Sequence, residues 1–167
     1  MRAIVLARAG DVAGAAAAAA EAESLRPRSP GTAELVNGKT IAFDDMRDAD
    51  DLISPGMEVL TQAGDHMLVA FERVSSLSFA PGRRARDLVW RRAEITLKDG
   101  TEGLIFLPAV YPPVGGAMTD AARMGRVTEW HEETAGGATL VRGVGQRLYL
   151  LGEEAVTASE LAFVKFD

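Results

Sequence analysis

The segment "RPRSPGT", residues 26–32, constrains the fold more than any other, because the residue pattern changes there. Ahead of it lies a stretch rich in small residues, with eleven alanines before Arg26. Alanine is the best helix former, so residues 2–9 and 12–25 are predicted to form two helices joined by Gly10-Asp11. Gly10 can end the first and Asp11 can cap the second. Pro27 and Pro30 then forbid continuation. Beyond them the period switches from helical to alternating, which predicts strands. This divides the chain into a helical hairpin over 1–28 and a β-rich α+β domain over 32–167.

The strands follow turn signals. "ELV-NG-KTIAF" reads as a hairpin, its Asn-Gly suited to a two-residue type I′ turn. "MEVLT" and "HMLVAF" flank "QAGD", and "RRAEITL" and "TEGLIFL" flank "KDG". "TDAARMGR" predicts a short helix capped by Thr119. "RVTEWHEE" and "TLVRGVGQRLYLL" are strands around Gly136-Gly137, and "SELAFVKF" is another. "ERVSSLSF" (72–79) and "ASELAFVKF" (158–166) echo each other over too short a span to be a repeat. Many short strands with Gly, Asn and Asp turns predict a strongly bent antiparallel sheet, partly closed like a barrel, with the helical hairpin packed on it. Gly103, Gly143 and Gly145 fall inside strands, where they suggest bulges or close backbone approach.

Composition removes several classes of function. There is no cysteine, which excludes disulfides and thiolate chemistry. A net charge of −6 disfavours general binding to nucleic acid or anionic membrane. No run of 18 apolar residues occurs, so no membrane-spanning helix is predicted. Arg8 and Asp11 interrupt the apolar start, which argues against a secretory signal. Together these features fit a cytoplasmic protein.

Most site-like motifs fail on their chemistry. "FDDMRDADD" places Asp44, Asp45, Asp48, Asp50 and Asp51 within eight residues. Counted from Asp44, Asp45 or Asp48, a calcium loop lacks its sixth-position glycine. The expectation is a solvated corner in which Asp44 and Asp45 turn the chain and Arg47 offsets some charge. The alternative is an uncharacterised metal-binding protein or metal-dependent enzyme using Asp44–Asp51. "AELVNGKT" mimics a phosphate-binding loop, but a strand rather than a helix follows it. His66 and His131 are isolated, and no catalytic residues or cofactor are predicted. "RRARDLVWRR" is the one basic cluster. Trp90 and Leu88 are expected to anchor a turn in the core while the arginines pair with carboxylates. Contact with an acidic protein, or with nucleic acid through base stacking, is the other option.

Several blocks carry a further resemblance. "FDDMRDADD…MEVL", "ARDLVWRRAEITLKDGTEGLIFLPAVYP", "RMGRVTEW" and "LVRGVGQRLYLLGEE…SELAFVKF" resemble, in order and spacing, the ImpE/TagJ (SciE-type) family of type VI secretion accessory proteins. The helical start is similar to half of a tetratricopeptide-type repeat. The resemblance implies a non-enzymatic cytoplasmic protein that binds the small subunit of the contractile sheath through that subunit's N-terminal helix. It also implies several more helices upstream of the hairpin than this chain carries. A groove of stacked helix pairs is then expected to be largely missing. The physical reading nominates Ile4, Leu6, Val12, Trp90, Arg91, Arg92 and Trp130 as a partner-binding surface, since a helix partner needs an apolar groove with a polar rim.

Overall fold

A computed structural model describes residues 1–116 and 118–167 of the chain. Its helices are α1 (Arg2–Arg8), α2 (Val12–Leu25) and α3 (Asp120–Arg123). Its strands in chain order are β1 (Gly31–Leu35), β2 (Thr40–Phe43), β3 (Met46–Asp48), β4 (Gly56–Thr61), β5 (His66–Ala70), β6 (Val74–Phe79) and β7 (Trp90–Leu97). They continue with β8 (Glu102–Pro108), β9 (Val110–Tyr111), β10 (Thr128–Ala135), β11 (Ala138–Gln146), β12 (Leu148–Leu151), β13 (Glu154–Thr157) and β14 (Leu161–Phe166).

The caps act where the sequence places them. The Asp11 carboxylate accepts the Gly14 amide at 2.9 Å and starts α2. Arg26 is already extended, and Pro27 stops further helix. The Thr119 hydroxyl accepts the Ala122 amide at the start of α3. The buried face of α2 consists of Ala15, Ala16, Ala18 and Ala19, so the helix can lie close to β10 and β11.

Eight strands form one antiparallel sheet in the order β2-β1-β14-β6-β7-β8-β4-β5. Two three-stranded sheets, β10-β11-β9 and β13-β12-β3, complete the structure. The fold is thus α+β and mostly antiparallel. The main sheet ends in β2 and β5 without pairing them, so the partial barrel closure expected from the sequence gives way to an open sheet. Alternating strand residues supply the main core, among them Leu77, Leu107, Leu161 and Phe166, joined by Phe71 from the helical turn between β5 and β6. A second cluster joins the alanines of α1 and α2 to Leu52, Ile53, Tyr111 and Leu140. The two segments that echo each other in sequence end in β6 and β14, which pair antiparallel.

The Asn37-Gly38 turn differs from the expected type I′. In the β1–β2 turn only Gly38 has positive φ, at +85°, and Asn37 does not. The Gly38 amide donates to Leu35 O, and the Leu35 amide donates to Lys39 O. Type I′ requires positive φ at both central residues, so this is a type I turn closed by a bulged glycine. The Asn37 side chain accepts the Lys39 amide at 2.9 Å, which fixes the turn without left-handed backbone at Asn37. Asp99-Gly100 repeats the arrangement, with Asp99 accepting the Thr101 amide.

Candidate functional site: a cleft above a buried charge network

The aspartate-rich segment runs through β3 and the turns before β4, and its carboxylates have separate fates. Asp44 is exposed and ion-pairs with Arg28. Asp45 accepts the Arg26 guanidinium and the Ser29 amide. Arg26 also grips Glu23, so one guanidinium ties the end of α2 to the β3 side of the fold. The Arg26 guanidinium, helped by the Ser54 hydroxyl, holds the Glu23 carboxyl below its ordinary range against the opposing effect of burial. Asp48 and Asp50 are fully buried.

The buried pair forms a network. Asp48 Oδ1 accepts the Asp50 amide at 2.9 Å and the Tyr111 hydroxyl at 2.6 Å. Its Oδ2 lies 3.5 Å from Arg147 Nη1. Arg147 has no exposed side-chain surface, lies over the Tyr111 ring at 5.0 Å, and donates from Nη2 to Glu58 at 2.6 Å. Asp50 accepts the Leu52 and Gly143 amides and the Arg142 Nε. Asp51 accepts the Val141 amide at 2.7 Å. Burial pushes the Asp48 carboxyl up to about 6, against the opposing pull of Arg147 and the Tyr111 hydroxyl. Burial, reinforced by the Asp48 charge, raises the Tyr111 phenol, and burial raises that of Tyr149.

The solvated-corner expectation therefore holds for Asp44 and fails for Asp48 and Asp50. The metal alternative fares no better. The inner carboxylates point at amides, a phenol and guanidiniums, and among the described residues no three His, Asp or Glu side chains converge as a cation site would need. Sequence reading missed the network because its partners, Tyr111, Arg142 and Arg147, stand 63 to 99 positions downstream of Asp48, a separation no local pattern reports.

Above this floor lies a cleft of about 1070 Å³. Ile4, Val5 and Val12 line one wall and Met67 and Leu68 the other, while Arg142, Arg147 and Tyr111 contribute to the base. Val5 and Met67 are exposed at 62% and 50%, unusual for large apolar side chains. β5, which carries Met67 and Leu68, is a free edge of the main sheet. His66, on the same strand, sits 3.5 Å from Glu58, which Arg147 shares.

The seven residues nominated from sequence do not share one surface. Ile4 and Val12 line the cleft, and Leu6 packs into the helix-side core. Trp90 and Arg92 face outward at the start of β7, whereas Arg91 between them is buried. Trp130 is 46% exposed on β10, its ring 6.5 Å from that of Tyr111. Trp90 and Leu88 are also partly exposed, so they do not anchor a core turn as expected. Among the in-strand glycines, Gly143 faces the Tyr111 ring and Gly145 faces Val127 O, both too close for a Cβ, while Gly103 has open space around it. Residues 33–40 form the β1–β2 hairpin, with strands on both sides of the turn.

The family model described as ImpE protein matches residues 40–165. The chain belongs to the ImpE family. A curated relative, the type VI secretion system accessory component TagJ of Pseudomonas aeruginosa, is 34% identical over 148 residues, covering 87% of this chain and 50% of the relative. The chain thus spans about half the length of that relative. Among solved structures, the crystal structure of protein VPA1032 from Vibrio parahaemolyticus superposes with a TM-score of 0.81 at 25% identity, covering 97% of this chain and 57% of that one. The structural likeness therefore takes in α1 and α2 as well as the β region that the family model matches.

Proposed function

We propose that the chain is a non-enzymatic accessory component of a type VI secretion system. In this reading its cleft holds the N-terminal helix of the small contractile-sheath subunit. Family membership and the likeness to TagJ support the accessory role. The observation that carries the binding role is the cleft itself: apolar side chains of α1 and the β5 edge stand open to solvent around a buried polar floor. An amphipathic helix laid between them would cover Val5 and Met67 with its apolar face. The α1–α2 pair then serves as the tetratricopeptide-like part of the surface, and the protein works in the cytoplasm, where sheath subunits are handled. The inner carboxylates stabilise the floor and do no chemistry.

The test is fluorescence anisotropy with a labelled peptide of the sheath subunit's N-terminal helix from the same bacterium. The parent chain is expected to bind saturably. Val5→Glu and Met67→Glu, both at exposed positions, are expected to weaken binding at least tenfold without lowering the melting temperature. No binding by the parent, or binding indifferent to both substitutions, sinks the proposal.

A further inference from the structure

A second cavity lies at one end of the main sheet, where β1 and β6 finish and β14 and β7 begin. The short helical turn Ala85–Leu88 borders it. It encloses about 710 Å³, with Val36, Phe79 and Leu88 as apolar lining and Arg83, Arg84 and Arg91 as cations.

The alternation of β7 determines what Arg91 does. Ala93 and Ile95 face the core, so the same register turns Arg91 inward and leaves Trp90 and Arg92 outside. Arg91 is 4% exposed, yet among the described residues it makes no ion pair with any carboxylate. Its Nη2 donates to Leu161 O at a long 3.3 Å, and its guanidinium lies 5.8 Å from the Phe79 ring centre. Its Nε has no hydrogen-bond partner among the described residues. Nη1 runs beneath Gly82, where an added Cβ would stand only 3.1 Å away. Burial opposes the Arg91 charge, and the Asp87 carboxylate acts on it only from beyond ion-pair distance. A buried guanidinium without a directly paired counter-ion is unfavourable, and an anion in the cavity would relieve it.

The surroundings have the matching sign. The cavity's one lining carboxylate, Asp87, is already engaged by the Arg83 and Arg84 amides at 2.8 and 2.9 Å. Three arginines against one aspartate leave the lining at +2, on a chain whose net charge is −6. The apolar walls favour a carboxylate carried beside a hydrophobic side chain. A polyphosphate strand, by contrast, brings no apolar group to set against Val36, Phe79 and Leu88.

We infer that this cavity docks an acidic peptide segment of a partner protein, one carboxylate pairing with Arg91 and an adjacent apolar side chain packing on Phe79 and Leu88. Arg83 and Arg84 steer the approach from the exposed rim. The site is separate from the helix-binding cleft and does not depend on that reading.

The test uses a fluorescein-labelled dodecapeptide of alternating Leu and Glu, with a Gln-for-Glu counterpart as control. The Glu peptide is expected to bind the full chain saturably, at least tenfold more tightly than the control, and more weakly as salt rises. Arg91→Met is expected to lose tenfold or more in affinity while melting no lower than the parent. The double substitution Arg83→Gln/Arg84→Gln, at exposed positions, is expected to weaken binding and decides the matter if Arg91→Met does not fold. Val5→Glu and Met67→Glu should leave this binding intact. Equal affinity for the two peptides overturns the inference. So does undiminished binding by the folded arginine variants, loss through the cleft variants, or displacement of the peptide by single-stranded RNA at lower concentration.

Discussion

At the scale of single residues, the molecule's most consequential choice is to bury Asp48 and Arg147 together. A carboxyl whose pKa is higher in the folded than in the unfolded state binds its proton more tightly when folded. The Asp48 contribution to stability is therefore gained as pH falls through about 6 and is complete below the ordinary 3.8. At most this amounts to about 3 kcal/mol. Asp48→Asn keeps an oxygen for Tyr111 and the Asp50 amide but cannot titrate. Urea unfolding of this variant is expected to show a flatter stability profile between pH 4 and 7 than the parent, with little loss at pH 7. Arg147→Met is the harsher change, since it leaves Asp48 and Glu58 without their shared cation. It is expected to cost about 3–5 kcal/mol at neutral pH by the same measurement.

At the scale of elements, small residues set how closely parts approach. Ala15 is fully buried where α2 meets β11, and the position an added Cβ would take on Gly136 is only 3.2 Å from Ala13 Cβ. Ala15→Leu is expected to overpack this contact and cost about 1–3 kcal/mol in denaturant unfolding. Gly143 admits the Tyr111 ring against β11, where a Cβ would fall 2.3 Å from Tyr111 Cε2. The Tyr111 hydroxyl is fixed by Asp48, so the ring cannot swing away freely. Gly143→Ala is expected to destabilise by about 1–3 kcal/mol, with a loss of near-ultraviolet tyrosine dichroism. Elements of this kind were largely readable in the sequence. Asp11 and Thr119 cap as their spacing implies, and the turn residues of both Asn37-Gly38 and Asp99-Gly100 mark real hairpins, because these signals act over three or four residues. The inward face of β7 was equally readable from Ala93 and Ile95, and should have placed Arg91 inside. The Asp48 and Asp50 network was not, because its other half lies across the sequence and forms only when β3, β9 and β11 are brought together.

At the scale of the whole molecule, charge and apolar surface are distributed unevenly. The chain is acidic overall, yet the cavity beside Ala85–Leu88 carries a local excess of arginine. The cleft beside α1 instead pairs apolar rims with internally compensated charge. Binding in the two places should therefore respond differently to ionic strength. Peptide association at the arginine cavity should weaken steeply between low and high salt, while helix association at the cleft should change little. Parallel anisotropy titrations over a salt series would separate them.

β14, spanning Leu161–Phe166, is inserted between β1 and β6 near the middle of the main sheet. During translation β1 and β2 can meet as a hairpin, but they join the rest of that sheet only once Phe166 has cleared the ribosome. Premature termination before this strand would leave two exposed edges and a breached core, so partial products should be degraded rather than accumulate as working fragments.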